Sequence, residues 1–509
     1  MRKLIVCMDG TGNEIGDGET NIVKFYRGFT QDENQLTFYV MGVGTNDGNS
    51  VNIRPSQKFF GVLGLAFGYG LEDDVLRGYR WLCKTYRGPE FYSKAWEKEH
   101  EDLPDDDPRK DSRGIEGDQI YVTGFSRGAY AARVLAGFIH DFGLVAPDQL
   151  HLVAPAFRAY RSLTKRDDEN ETASVRFRAL RQFDRVLRPT IAPIRALLLF
   201  DTVASIIRLD WPWYTIPQNW SLAVVGKHAL HRSTAANGSV RIVTHAMAVD
   251  ERRSFFRNLN WTDNPAYRVY YGNRFKRGPE RMQYVDQRWF PGYHSDIGGG
   301  YAENESGIGK ITALWILDRL TQREEEADAE DLKILNAARV ADGKPEVTAV
   351  PGHRPAPGLR FTGNRREVYL EGKVFNNKPG VNAAKIPYSE PDHCAPIHNS
   401  IFTDGAKPRA SWVWLILELL PPKWVGRRDQ KPPAWFRRLN PFYLPLLEPR
   451  QIPQSHQIDD SVYLRKADPD CGYDPENVTR DPVGEAQDWW INGWLNQPNP
   501  DAPNQAKGD

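Results

Sequence analysis

Cysteine is scarce in this chain: Cys7, Cys83, Cys394 and Cys471 are the only four among 509 residues. They lie far apart and match no metal-binding or redox spacing, so reduced thiols and no metal site are expected. An excess of either charge is also missing, since lysine plus arginine and aspartate plus glutamate both number 66. That balance removes the electrostatic argument for a nucleic-acid partner. No stretch reaches the roughly 18 apolar residues that a spanning helix needs. The longest candidate, 412–420, is short and interrupted by Glu418. Arg2-Lys3 is followed by five apolar residues before Asp9, too short a core for a signal sequence. A soluble, cytoplasmic product is therefore expected, with non-classical export left open. The sequence shows no internal repeats.

What is present suits one large domain with additions. Apolar strands are expected at 3–8 and 36–41, a glycine-rich and then amphipathic helical stretch at 60–86, and further strands at 196–200 and around 282–285. Such alternation predicts an α/β fold, a mostly parallel sheet with helices on both faces. Ligands of such sheets sit beyond the carboxyl ends of the strands. Residues 1–345 read as the catalytic domain, with a charged surface insertion at about 97–118. The run Glu324-Glu325-Glu326-Ala-Asp328 reads as the exposed end of a helix over 311–320. Residues 346–509, rich in proline and tryptophan, read as an appended irregular region packed on that core.

The densest signal is Gly124-Phe-Ser126-Arg-Gly128. Before it, 119–123 reads as a buried strand; after it, 129–139 reads as a helix of small and apolar residues. A serine on such a strand-to-helix turn adopts a strained backbone, and flanking glycines let strand and helix approach closely. The next backbone N–H, that of Arg127, lies at a helix amino terminus, where an oxyanion can sit.

A nucleophilic serine needs a base, and the base an acid to set its tautomer. Asp201 follows a fully apolar strand, the place for a buried orienting carboxylate. Among eleven histidines, His294 is the leading base, because it follows a strand, comes after Asp201 and precedes Gly298-Gly299-Gly300. His245 is the runner-up, in a run over 244–253 that reads as a helix. Gly10 and Thr11, in Asp9-Gly-Thr-Gly-Asn13, are candidates for the second oxyanion donor. Asp-Gly-Thr after an apolar strand also fits haloacid-dehalogenase-type phosphatases, but the nucleophilic aspartate they require is replaced here by Cys7. Gly42-Val-Gly44 lacks the third spaced glycine of a dinucleotide site. Asp296, two residues after His294, reads as a turn-stabilising group before a cation ligand. No metal or organic cofactor is called for.

Six runs taken together, Asp9 to Asn13, Gly42 to Thr45, Gly124 to Gly128, Phe200 to Val203, His245 to Arg253 and Trp289 to Tyr301, carry a resemblance. The chain resembles the α/β hydrolases of the type VI secretion phospholipase-effector class. The resemblance spans about residues 3–320 and implies Ser126 as nucleophile, Asp201 as triad acid and His294 as base. It implies acyl-ester cleavage of a glycerophospholipid, as by a phospholipase A. The carboxy-terminal third shares only short fragments, His398-Asn-Ser400 and Ser461-Val462. Tryptophan and arginine interleave at Trp424, Arg427-Arg428 and Trp435-Phe-Arg-Arg438, which suits either peripheral membrane contact or a basic, aromatic rim on the core. The expected function is thus a serine esterase or lipase of phospholipase A type. Two alternatives stay open: an esterase or thioesterase on a soluble acyl substrate, or a non-catalytic lipid- or partner-binding protein. Oligomeric state is not legible.

Overall fold

The structure is a computed structural model that describes residues 1–10, 19–42, 70–104, 107–162, 178–203, 234–253, 256–262, 269–272, 277–361, 390–399 and 447–492. Among the described residues nine strands occur: β1 (Lys3–Met8), β2 (Gln35–Val40), β3 (Gln119–Phe125), β4 (Ile194–Phe200), β5 (Val240–Ala248), β6 (Val269–Gly272), β7 (Arg277–Met282), β8 (Tyr284–Phe290) and β9 (Gln457–Ile458). Seven build one sheet in the order β2-β1-β3-β4-β5-β8-β9, and β6 with β7 forms a separate hairpin. Every pairing in the large sheet is parallel. Strands β1, β3, β4 and β5 are buried along their whole length. Burial on both faces is why β1, β3 and β4 read as largely apolar runs and not as alternating ones.

The helices that position the site are α1 (Asn21–Gly28), α2 (Leu71–Thr85), α3 (Arg127–Phe142), α4 (His294–Gly298), α5 (Gly307–Ala341) and α6 (Asp460–Ala467). Successive strand residues point to opposite faces, so the sheet separates two cores. Leu4, Val6, Ile120 and Leu197 pack with Tyr79 and Leu82 of α2 and Val134, Leu135 and Phe138 of α3. Ile5, Tyr121 and Leu198 pack on the other face with Ile22 and Phe25 of α1 and Ile311, Leu314 and Trp315 of α5. The chain leaves β1 towards β2 on one side and returns to β3 on the other. The topology therefore opens a crevice outside the carboxyl ends of β1 and β3.

Several expectations need correction. The run over 244–253 is not a helix: its first part is the end of β5, enclosed between β4 and β8. The strand around 282–285 is two strands, β7 and β8, meeting at Gln283. The acidic run after 320 is not an exposed helix end, because α5 continues through it to Ala341. Glu324 is buried and accepts from Tyr121 Oη, Arg195 Nε and the Gly358 N–H. Within the charged segment 97–118, Asp111 pairs with Arg339 at 2.8 Å and Asp118 with Arg2 at 2.6 Å. This segment is thereby tied to the core at both points. The helical reading of 60–69 and the segment 412–438 lie outside the described residues.

Cys394 and Cys471 also depart from expectation. They are joined in a disulfide with Cα atoms 5.5 Å apart, although 77 residues separate them in sequence. Linear spacing hid the pair because a separation of 77 residues matches no local disulfide or metal-binding pattern. Cys7 and Cys83 are free and buried; burial raises both thiol pKa values, that of Cys83 to about 12. Among the described residues no helix is long and apolar enough to cross a membrane.

Candidate active site

Ser126 stands between β3 and α3 with φ 59° and ψ −123°. Few non-glycine residues hold a positive φ, and here the surroundings impose it. The Ser126 N–H donates to Phe200 O at 3.1 Å, tying the turn to the end of β4. A Cβ on Gly124 would lie 2.6 Å from Gly128 O, and one on Gly128 would lie 2.1 Å from Met8 O. Only glycine at both positions lets α3 start this close to β1 and β3.

Asp201 is the first residue beyond β4, and His294, the fourth residue beyond β8, opens α4. Three strand ends thus bring three distant side chains together. His294 Nε2 lies 2.7 Å from Ser126 Oγ, and His294 Nδ1 lies 2.5 Å from Asp201 Oδ2. With the Nδ1 proton donated to the carboxylate, Nε2 is left to accept the serine hydroxyl proton. The imidazole is held between the rings of Phe125 and Phe256, each with its centroid 4.8 Å away. A Cβ on Gly298 would strike the Phe125 ring at 2.0 Å, so glycine lets the histidine loop close onto the serine turn.

The electrostatics follow from burial. Desolvation lowers the His294 pKa, and it outweighs the hydrogen bond and charge of Asp201, which raise it. For Asp201, burial opposes ionisation, yet the Arg450 charge and the His294 hydrogen bond hold its pKa well below the usual carboxylate range. Asp201 Oδ1 also accepts the Ala248 N–H at 3.1 Å. Buried Glu251 accepts the His294 backbone N–H at 3.3 Å and Arg253 Nη2 at 2.7 Å. Against burial, the Arg253 charge brings the Glu251 pKa down to about 2.

The other expected site residues fall as follows. Arg127 begins α3; its guanidinium is largely buried, and desolvation lowers its pKa to about 10 against the charge of Asp74. The Gly10 N–H donates to Asp9 Oδ1 at 2.6 Å, while Asp9 Oδ2 accepts from Thr20 Oγ1 and Tyr39 Oη, each at 2.7 Å. Thr11 lies outside the described residues. His245 is on β5, with Nε2 accepting the Thr202 N–H at 3.1 Å and Nδ1 lying 3.2 Å from Arg133 Nη2. Both ring nitrogens of the alternative base are therefore engaged within the core. Asp296 accepts the Tyr293 N–H at 2.8 Å and the His398 N–H at 3.1 Å, and faces His398 Nδ1 at 2.7 Å. Its oxygens hold the turn and a carboxy-terminal histidine, in keeping with the turn-stabilising reading.

With this geometry in view, comparison with known proteins is specific. The family described as T6SS, Phospholipase effector Tle1-like, catalytic domain matches residues 2–319. The chain belongs to this Tle1-like family. A curated relative, the uncharacterized protein YEL023C of Saccharomyces cerevisiae, is 26% identical over 274 residues, 52% of this chain and 33% of that protein. The chain thus spans about a third of that relative's length. Two solved structures are also similar. One is an uncharacterized protein from Pseudomonas aeruginosa, 16% identical, with TM-score 0.29, covering 62% of this chain and 45% of that one. The other is the Tle1 effector bound to the VgrG spike of the type 6 secretion system, 18% identical, with TM-score 0.28, covering 60% of this chain and 52% of that one.

The Tle1-like match ends before three groups that sequence reasoning did not place in the site or lacked a signal for. Arg450 donates from Nη1 to Asp201 Oδ1 at 2.5 Å and from Nη2 to Asp201 Oδ2 at 3.0 Å. His398 reaches Asp296, and His456 accepts from Trp289 Nε1 at 3.1 Å. His398 stood in one of the shared short fragments, which was the one available signal; Arg450 and His456 had none. Glu251, inside the matched stretch, lay in the run from His245 to Arg253. One group of metal-ligating side chains converges among the described residues: His393, Cys394, Asp468 and Cys471, with donor atoms within 4.8 Å of one another. Because the two cysteines are bonded to each other, His393 and Asp468 are the donors left, too few for a closed site.

Proposed function

We propose that the chain is a serine hydrolase that cleaves acyl esters, with a phospholipid as substrate in the manner of a phospholipase A. The observation that supports this reading is the unbroken line Ser126 Oγ–His294 Nε2–Asp201, with the serine held at a positive φ. In this reading His294 takes the proton of Ser126 as Oγ attacks the ester carbonyl. The Arg127 backbone N–H receives the developing oxyanion, with Gly10 or Thr11 supplying a second donor. Since the Gly10 N–H is bonded to Asp9, it serves only after leaving that carboxylate. The imidazolium then gives its proton to the departing alcohol, a lysophospholipid, as the tetrahedral intermediate collapses to an acyl-enzyme. Water, deprotonated by His294, attacks that ester, and a fatty acid leaves. Asp201 stays ionised throughout and stabilises the imidazolium.

Labelling by a fluorophosphonate probe tests the nucleophile, with wild type beside Ser126→Ala and His294→Ala. Label on wild type and on neither variant is the expected result. Asp201→Asn should retain the fold and lose about 10⁴-fold in kcat, as when a triad histidine is held in the wrong tautomer. A panel of phospholipid vesicles and short soluble esters then separates a lipase from an esterase. Release of fatty acid and lysophospholipid from the vesicles is expected. Turnover of soluble esters alone would overturn the lipid assignment and leave the triad standing.

A further inference from the structure

We propose that Arg450 is a positioning residue of the active site, so that the segment over 447–459 completes the catalytic machinery instead of merely covering it. The inference rests on the reading of Ser126, His294 and Asp201 as a triad, and it adds a fourth group from outside the matched catalytic domain.

The argument begins with the demands of a buried carboxylate. An acid that orients an imidazole must remain ionised and keep one oxygen aimed at Nδ1, and hydrogen-bond donors to its other lone pairs enforce both. Asp201 is fully buried and, among the described residues, accepts one backbone donor, the Ala248 N–H. Arg450 fills the remaining positions with both Nη atoms, one to each carboxylate oxygen. A planar guanidinium meets a carboxylate in this two-point fashion and fixes the plane of the group; an ammonium does not. Arg450 is itself only 3% exposed, and its other acceptors are Ala248 O at 3.2 Å and Phe256 O. Phe256 is also one of the two rings that hold His294. One side chain thus organises the acid and a wall of the base.

The same contact tunes charge. Without Arg450, the ionised acid and the protonated base would form a neutral pair; with it, the trio carries one positive charge. The guanidinium therefore disfavours the imidazolium and keeps His294 available as a base to lower pH. The other charged or titratable groups facing this pair are the Glu251–Arg253 ion pair after β5 and His245 on β5, with Arg133 of α3 behind it. Glu251 and Arg253 oppose each other at His294, whereas the Arg450 charge acts on it through Asp201, the carboxylate it holds.

The backbone around Arg450 is anchored independently of its side chain. Asn477 Nδ2 donates to Arg450 O and to Val249 O, each at 2.9 Å. β9 pairs with β8, the Asp459 N–H donates to Trp289 O at 2.9 Å, and Arg288 Nη1 donates to Asp459 Oδ2 at 3.1 Å. A neutral side chain of similar length at 450 should therefore leave the segment docked.

The test compares full-length wild type, Arg450→Met and Arg450→Lys on p-nitrophenyl butyrate across pH, with thermal melting as the folding control. For Arg450→Met, kcat should fall about 10²-fold, the scale of a misplaced catalytic group, with KM little changed. Its acid limb in kcat/KM should move to higher pH, because the charge that opposed the imidazolium is gone. Arg450→Lys should keep the wild-type acid limb and recover only part of kcat, since it restores charge without the two-point geometry. An Arg450→Met that melts like wild type with an unmoved acid limb would overturn the proposal, because a structural role alone predicts that result. Should Arg450→Met not fold, Arg450→Lys decides: wild-type kcat there overturns two-point positioning. Failure of the underlying triad reading looks different, as wild type would then neither label with fluorophosphonate nor hydrolyse ester.

Discussion

His294 lies between two aromatic rings, and the resulting desolvation sets its working range. A base must be neutral to accept the serine proton, and a lowered pKa keeps it neutral to lower pH. The acid limb of kcat/KM should therefore fall below about 6.5, the ordinary imidazole value. A pH profile on a soluble ester measures it, and a limb at 7 or above would contradict the burial argument. Ser126 and Asp201 were legible in the sequence, because their constraints are local: a glycine-flanked turn in one case, an apolar strand end in the other. His294 was legible through its order in the chain and its glycine-rich loop. Arg450 was not, because nothing within ten residues of it signals which carboxylate it will meet. Such a contact is decided by how residues after 447 return to the sheet.

At the scale of elements, strands carried by apolar runs were readable, and errors arose where burial erased the pattern. β5 is enclosed on both faces and between two neighbours, so 244–248 shows no alternation and the run over 244–253 reads as helix. α5 failed in the opposite sense: its acidic run looked solvated, but the acids meet buried arginines. Arg195 pairs with Glu324 at 3.0 Å and Asp328 at 2.7 Å, and Arg241 pairs with Asp331 at 3.2 Å. Truncating Glu324 takes one of the two carboxylates from buried Arg195 and the acceptor from Tyr121 Oη and the Gly358 N–H, so Glu324→Ala should cost about 3 kcal/mol. Urea unfolding measures this loss, and a change within 0.5 kcal/mol, usual for exposed sites, would restore the solvated reading. The network sits at the amino-terminal ends of β3 and β4, away from Ser126, so esterase activity of the folded variant should be retained.

For the whole molecule, the Cys394–Cys471 bond ties the described residues 390–399 to 447–492. Closing a loop of this size restricts the unfolded chain by about 4 kcal/mol in the chain-entropy account. Reductant should lower the melting temperature of wild type and leave that of Cys394→Ser unchanged. Equal shifts in both proteins would show that the bond does not form in solution. Such bonds persist only under oxidising conditions, so the thiol state of this pair reports the compartment from which the protein is taken.

The placement of β9 also has a consequence in time. Translation delivers Ser126, Asp201 and His294 long before Arg450, and at about 5–20 residues per second the delay is roughly eight to thirty seconds. Throughout that interval β8 has no neighbour on its outer edge, and the acid lacks its guanidinium. On the reading proposed here, the nascent chain carries nucleophile, base and acid while still a poor catalyst. Its full hydrolytic power waits on the segment that carries Arg450, the last of the four groups to be made.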